Sequence, residues 1–495
     1  MEGLDIPGWY NLKNTTSSAI SDQYNSKRRL IGAFGQAELG FKNYLFLNLS
    51  ARNDWSSTLP KGKNSYFYGG ANISMIVTEL LPSLKENNID FLKVRAAVGQ
   101  TGSDADVFKT VGWYNPVGQA YQTYNYTNLP LNGVSGLTEN TTKPSTDLRP
   151  EMTTEYEFGV SGNFFKNRLS IDFAYYNKNT KDQIISANLG PETGYMFQTK
   201  NVGKIQNKGI ELAVGVTPVR TKDWDWNVGI TYTMNRSKVK ELWEGLTSYT
   251  YTNWRGVQYV LEIGKAIGQF YTPDVKTVTD KNSPYYGYSI VNNNGFLQAA
   301  STSSSKGTSE AKFLMGFNTT LKYKNFTFSA AADWRFGGVM VSNTSYITHF
   351  DGNSTETLFN ERYSFIYPHS VKTLSDGSFV ENNIMVKSSQ MNYAQGNYSY
   401  NPLIRDAFLV SKSYFKLREL ALYYNFPQSI LSHIGFIQNA TLGIVGRNLL
   451  LFTPRKNNYI DPETTNLGND LLSEFGETTG TSSTRNFGVN VKVVF

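Results

Sequence analysis

The sequence predicts an all-β fold, an antiparallel transmembrane β-barrel that is incomplete within these 495 residues. Three observations predict it. Apolar and polar residues alternate with a period of two along most of the chain, which gives each strand one apolar and one polar face. Connections alternate between short and long, as where short periplasmic turns oppose longer extracellular loops. No run approaches the about 18 apolar residues of a membrane helix, which excludes a helical membrane protein. It does not exclude a barrel, whose alternating strands average their hydropathy away: mean hydropathy is −0.39, yet Tyr reaches 32 and Phe 30.

In order, thirteen strands are expected near 29–41, 44–55, 64–78, 90–101, 151–165, 168–185, 203–218, 224–236, 311–323, 326–338, 407–426, 439–453 and 484–495. The clearest is 326–336. There Phe326, Phe328, Ala330, Ala332, Trp334 and Phe336 share the lipid-facing side, and Thr327, Ser329, Ala331, Asp333 and Arg335 face the lumen. In the last strand Phe487, Val489, Val491, Val493 and Phe495 share a face. Around Leu417, Glu419 and Leu420 the apolar phase slips, which predicts a bulge. Connections after odd strands are short; 80–89 and 427–438 read as short helical caps. Connections after even strands are long, except the one after the second strand, with extracellular loops expected near 102–150, 237–310 and 339–406. A soluble β-sandwich also alternates, with its apolar face inward. Loop sorting favours the barrel, as do Trp224, Trp226, Trp334, Phe336 and Phe495 at strand ends, where a girdle would lie.

Orientation exposes an open sheet. The first and thirteenth strands both run toward the periplasm, whereas a closed antiparallel barrel needs an even number. Each open edge would leave N–H and C=O groups in hydrocarbon at several kcal/mol apiece. The total, on the order of tens of kcal/mol, exceeds a net stability of about 5–15 kcal/mol. Further strands are therefore expected before Met1. Met1-Glu2-Gly3-Leu4-Asp5 has neither the basic nor the apolar region of a signal peptide, as expected of a processed or truncated chain.

Cysteine is absent, which excludes disulfides and thiol catalysis. The net charge of +7 is dispersed, and Lys27-Arg28-Arg29 is too short a cluster to suggest nucleic acid. No catalytic, cofactor or metal set is expected. His349, His369 and His433 are scattered, without HExxH, and neither a nucleophile elbow nor a phosphate loop occurs. Gly264-Lys265-Ala266-Ile267-Gly268 lacks phosphate-loop spacing. Asp461-Pro462-Glu463 reads as a capped turn, with Ca²⁺ binding as the sharper alternative. Ligand or partner contact is expected from loop aromatics, Tyr121, Tyr124 and Tyr126 in one loop and Tyr249, Tyr251, Trp254 and Arg255 in the next. Self-packing within the loop is the plainer alternative. Phe495 is expected to act as a barrel-assembly signal, because a final strand with a free edge can add to another sheet.

Several stretches resemble the SusC/RagA family of TonB-dependent outer-membrane transporters. They are Arg52-Asn53-Asp54-Trp55-Ser56-Ser57; Leu92-Lys93-Val94-Arg95 with Gly99-Gln100-Thr101-Gly102; and Leu148-Arg149-Pro150-Glu151 with Glu155, Glu157 and Gly159. Asn201-Val202-Gly203 with Asn207-Lys208-Gly209-Ile210-Glu211, Ser413-Tyr414-Phe415-Lys416-Leu417-Arg418, and Asn448-Leu449 through Asp461-Pro462-Glu463 complete the series. The family's Asp/Asn/Gly-rich stretch is reduced to Asn292-Asn293-Asn294-Gly295. The resemblance implies that residues 1–495 are the C-terminal portion of a barrel, about 13 of about 22 strands, without the plug. It also implies a nutrient importer in the outer-membrane lipid. A SusD-like surface lipoprotein would be one partner and the TonB complex, reached through the missing N-terminal region, another. The substrate would be an oligosaccharide or peptide. A non-transporting structural or adhesive barrel is the alternative.

Overall fold

The computed structural model describes residue 8 and residues 25–117, 136–243, 245–386, 408–457, 459–468 and 471–495. Thirteen strands form one sheet in sequence order: β1 (Leu30–Phe41), β2 (Leu45–Ser56), β3 (Ser65–Ile76), β4 (Ile89–Ser103), β5 (Glu151–Phe164), β6 (Leu169–Lys181), β7 (Lys204–Arg220), β8 (Trp224–Glu241), β9 (Phe313–Tyr323), β10 (Phe326–Phe336), β11 (Tyr414–Asn425), β12 (Asn439–Phe452) and β13 (Asn486–Val494). Each lies where the alternation places it. The pairs β1–β2 and β8–β9, and the run from β9 through β13, are antiparallel. Both edge strands, β1 and β13, are solvent-exposed along their whole length.

Short and long connections alternate as the alternation of strands predicts. Connections after odd strands are 42–44, 77–88, 165–168, 221–223, 324–325 and 426–438; those after even strands are 57–64, 104–150, 182–203, 242–312, 337–413 and 453–485, and all of these but 57–64, the expected exception, are longer than every odd one. Lys42 and Asn43 both take positive φ, 47° and 57°, and Tyr44 N–H donates to Phe41 O at 3.2 Å. This is a primed turn, whose twist matches that of the strands it joins. The two helical caps are present as Val77–Leu80 with Ser83–Glu86, and as Gln428–Leu431.

Register accounts for the two faces of the sheet. Phe326, Phe328 and Trp334 lie opposite Tyr424, Leu422 and Phe415 on one side, and opposite Tyr323, Leu321 and Met315 on the other. Apolar residues thus meet apolar residues across three strands. Aromatics gather at both ends of this face. Trp224 packs on Tyr323 at 4.2 Å and Phe326 on Tyr424 at 4.8 Å; at the far end Phe313 packs on Trp334 at 5.0 Å and on Phe336 at 5.3 Å. From Phe326 to Trp334 a strand extends about 26 Å, or about 20 Å along the normal once tilted, near the about 25 Å of an outer-membrane apolar band.

Two expected strands are each divided. The 407–426 run becomes Leu409–Ser411, in a small loop sheet, and β11. Gly337 and Gly338, at φ 87° and 89°, turn the backbone there. Lys412 N–H is then captured by Gly338 O, and Gly337 N–H by Ser413 Oγ, each at 2.9 Å. The 168–185 run breaks at Asp182, φ 55°, and resumes as Ile184–Asn188 in another sheet. A further difference is that long connections fold into small sheets.

The chain comprises two compact units, residues 1–74, 96–156 and 178–205, and residues 75–95, 157–177 and 206–495. The first has a small core of Leu59, Tyr66, Ala105 and Leu148. The second has its main loop core in Val257, Tyr259, Phe270, Val341, Leu409 and Phe475. Among the described residues no helix is long and apolar enough to cross a membrane.

Candidate functional site

Three charged clusters are built on the polar faces of strands, the first and third where a strand meets a connection and the second across three neighbouring strands. The first begins with Arg52, Asp54 and Ser56, which period two places on one face of β2. Asp54 is buried and accepts from Arg52 Nε at 2.8 Å and Tyr68 OH at 2.6 Å. Asp104, just beyond β4, accepts from Ser56 Oγ, from Thr58 Oγ1 at 2.9 Å, and from Arg28 Nε and Nη2 at 2.9 and 2.5 Å. Burial pushes the Asp104 carboxyl up, but donors from Ser56, Thr58 and Arg28 more than offset it and hold it below the usual range.

The second centres on Arg95 of β4. Its Nε donates to Glu157 at 3.0 Å, Nη1 to Ser161 Oγ at 2.9 Å, and both Nη atoms to Asp172 at 3.1–3.2 Å. Gly159 makes the space, since a Cβ there would stand 2.4 Å from the guanidinium carbon.

The third rests on the expected bulge. Ala331 pairs with Glu419 and Ala332 with Leu417, so Arg418 is the extra residue. Tyr414 and Lys416 precede it on the polar face, and Glu419, Ala421 and Tyr423 follow on that same face after the phase change. Across β12 the irregularity continues at Asn448, φ 53°, a left-handed position that Asn tolerates. Arg418 then reaches Asp333 at 2.6 Å and Glu463 through Nη1 at 2.6 Å and through Nη2. Lys416 donates to Asp461 at 2.5 Å and Glu463 at 2.9 Å, and Tyr414 OH to Glu463 at 2.7 Å. Lys416 and Asp461 are 6% and 5% exposed, so this pair is buried. Burial pushes the Glu463 carboxyl up, but Arg418, Lys416 and Tyr414 bring it down to about 2. Asp461 also accepts the Glu463 N–H at 3.2 Å, the local turn bond of an Asp-Pro-Glu segment. Two motifs separated by some forty residues of sequence thus close into one latch, with ammonium and guanidinium occupying the carboxylates.

The expected contact residues fall as follows. Tyr121, Tyr124 and Tyr126 lie outside the described residues. Tyr249, Tyr251 and Trp254 are half-buried, and Arg255 is exposed. Trp254 packs edge-on against Tyr346 at 5.5 Å and Phe408 at 6.4 Å, and Arg255 lies 4.4 Å from the Tyr346 ring centre. Tyr251 and Trp254 flank the loop core. These contacts are within the chain's own loops. Phe495 is exposed and stacks on Phe436 at 5.9 Å. His349 is held by Ser345 O at 2.7 Å beside Phe408. Among the described residues no three His, Cys, Asp or Glu side chains could together hold a metal ion.

Sequence reading missed Asp104, the pairing of Asp333 with Arg418, and Glu474, which accepts from Lys412 Nζ at 2.5 Å. It also missed Glu477, which is buried at the start of the helix Asn343–Phe350 and accepts from Ser342 Oγ at 2.7 Å and Thr344 N–H at 2.9 Å. Each lies far along the chain from its partner, so spacing carries no signal for it.

Residues 4–449 match the family model described as TonB dependent receptor-like, beta-barrel. TonB-dependent receptor P26 of Formosa agariphila is 25% identical over 494 residues, 96% of this chain and 46% of the relative. TonB-dependent receptor SusC of Bacteroides thetaiotaomicron is 23% identical, covering 81% of this chain and 38% of SusC. The RagAB peptide transporter structure superposes with a TM-score of 0.70 at 21% identity, over 94% of this chain and 48% of that one. The chain therefore spans less than half the length of the curated relatives it matches. With strands as its crossing elements and a barrel model matched over most of its length, the chain belongs to the TonB-dependent receptor-like β-barrel family and is a β-barrel chain of the outer membrane.

Proposed function

We propose that the native protein carrying this chain is a TonB-dependent nutrient importer and that residues 1–495 form the C-terminal portion of its barrel. The observation that carries this reading is the family match along a sheet whose long connections fall after even strands and are folded. Long folded loops gathered at one end of a wall suit capture of a large solute, while short turns suit the periplasmic end. The remaining strands, a plug and a TonB-contacting segment belong to the N-terminal region, giving about 22 strands in all. A SusD-like lipoprotein covers the loops near 102–150, 237–310 and 339–406, and an oligosaccharide or peptide is the cargo. Transport through a peptide carrier such as RagAB supports the general scheme by likeness of fold.

The test is uptake by cells lacking the gene, complemented with the full-length protein or with a variant shortened in 242–312. Uptake of fluorescent oligosaccharides or peptides should require the gene, stop when the proton gradient is collapsed, and fall with the shortened loop. Undiminished uptake in the deletion strain, together with lost surface adherence, would instead establish the structural or adhesive reading.

A further inference from the structure

A cationic rim continues the apolar face of the sheet in the larger unit. On β8 the even positions are Trp224, Trp226, Val228, Ile230, Tyr232 and Met234, and then, without a break, Arg236, Lys238 and Lys240. The odd positions are the polar face, since Asn235 bonds Asn207 of β7 at 3.0 Å and Thr217 of β7 bonds Asn227 at 2.7 Å. The even residues of both strands therefore share the apolar side. On β7 that side runs from Val216 through Val214, Leu212 and Ile210 to Lys208. The Asn207–Asn235 bond sets Lys208 level with the start of the rim. Lys312, at the foot of β9, joins it: Arg236 Nη1 donates to Ala311 O at 3.3 Å, and the Lys312 ammonium lies 5.4 Å from the ring centre of Phe336 on the apolar face.

Depth follows from strand geometry. From Trp224 to Met234 the strand rises about 34 Å, or about 24 Å along the normal at a tilt of about 45°, which fills the about 25 Å apolar band. The cations begin where the band ends. Their end of β8 leads into the long 242–312 connection, which marks the extracellular side.

The charge on this rim is one-sided. All five cations are exposed. Lys208, Lys238 and Lys240 form no ion pair among the described residues. No Asp or Glu occupies an even position of β7 or β8. Glu310 is held instead on the polar face, by Asn235 Nδ2 at 3.1 Å and the Ser237 N–H at 2.8 Å. A rim that met only water would mix signs, because like charges so placed repel one another. An anion at the membrane surface offsets that repulsion, and basic residues just outside the hydrocarbon are suited to lipid headgroups. The aromatic shelf directly below, with Tyr232 against Phe313 at 5.8 Å and Phe313 against Phe336 at 5.3 Å, offers the same ligand a surface for acyl chains. We propose that Lys208, Arg236, Lys238, Lys240 and Lys312 bind the phosphate groups of an anionic glycolipid of the outer leaflet, with its acyl chains on the apolar face beneath. The inference needs the outer-membrane setting and the extracellular side of the long connections, and does not need the importer reading.

The full-length protein in nonionic detergent is titrated with phosphorylated lipid A, dephosphorylated lipid A and phosphatidylglycerol, and binding is read by native mass spectrometry. Phosphorylated lipid A should bind at least about tenfold more tightly than the dephosphorylated form, and less tightly as salt rises. Lys238→Gln combined with Lys240→Gln should weaken it at least about tenfold. Both residues are exposed near the strand's end, and Lys208→Gln on the neighbouring strand gives a second variant should that pair fail to fold. Lys222→Gln combined with Lys324→Gln, in the periplasmic turns, should leave binding unchanged. Equal binding of dephosphorylated lipid A, equally tight phosphatidylglycerol, or unchanged affinity in the folded rim variants would overturn the assignment and leave topology and importer standing. Weakening by the Lys222 and Lys324 pair in place of the rim variants would overturn it together with the topology.

Discussion

Replacing Glu463 with Gln tests the latch on which the 453–485 connection is held. The substitution keeps shape and removes charge, leaving Lys416 and Arg418 without one of their acceptors. Lowering this carboxyl from an ordinary 4.5 to about 2 corresponds to about 3 kcal/mol, at about 1.4 kcal/mol for each pH unit. The Glu463 side chain is itself 32% exposed, so solvent screening discounts that figure to about 1–2 kcal/mol. The segment should therefore open roughly tenfold more often in the variant. A depressed carboxylate contributes stability that is complete above its unfolded value. In wild type the latch should therefore hold down to pH 4.5 and release as pH falls toward about 2. The assay is limited proteolysis of the full-length protein in detergent. A neutral protease at pH 7 should cut the variant within 453–485 and spare wild type, and pepsin should reach this segment of wild type only in that acid window. In a double-mutant cycle with Arg418→Met the two costs should be strongly non-additive. Equal protection of variant and wild type at pH 7, or simple additivity in the cycle, would refute the argument.

Four further outcomes are expected. Ala330→Arg places a charge on the apolar face at a cost of about 2–4 kcal/mol if it sits at the bilayer midplane, and should impair outer-membrane assembly of the full-length protein more than Ser329→Arg; equal assembly would reverse the two faces. Gly159→Ala should displace the Arg95 guanidinium and lower thermal stability by roughly 1 kcal/mol; the loss should vanish in an Arg95→Ala background and would argue against the close approach if it persisted. Protease added to intact cells should cut within 104–150, 242–312 and 337–413 once the lipoprotein is removed, whereas cuts at 165–168 or 324–325 would invert the topology. Deleting Phe495 should reduce the outer-membrane level much more than Phe487→Ala if it is an assembly signal; similar levels would leave it as one more interfacial aromatic.

The sheet was legible because a membrane strand writes its environment into its sequence. A residue such as Phe328 must be apolar and its neighbour Ser329 need not be, so period two survives along the strands except where a bulge interrupts it. The slip at Leu417, Glu419 and Leu420 was legible for the same reason: an inserted residue changes the phase of everything after it. Even the turn at Lys42-Asn43 follows from length and backbone twist. These are local constraints, and one chain in isolation carries them.

What the bulge is for was settled only by tertiary structure. Arg418 is visible in the sequence as the residue that breaks the pattern, but its acceptors Asp333 and Glu463 come from β10 and a distant connection. The Asp461-Pro462-Glu463 segment left two readings open, and only folding shows that Lys416 reaches both carboxylates. Trp254 and Arg255 read as ligand contacts or, more plainly, as loop packing, and only the arrival of Tyr346 and Phe408 shows what they touch. A strand's face depends on its immediate neighbours in sequence, and so is encoded locally. An ion pair or a pocket depends on which distant segments the chain closes together, and their spacing in sequence carries no trace of it.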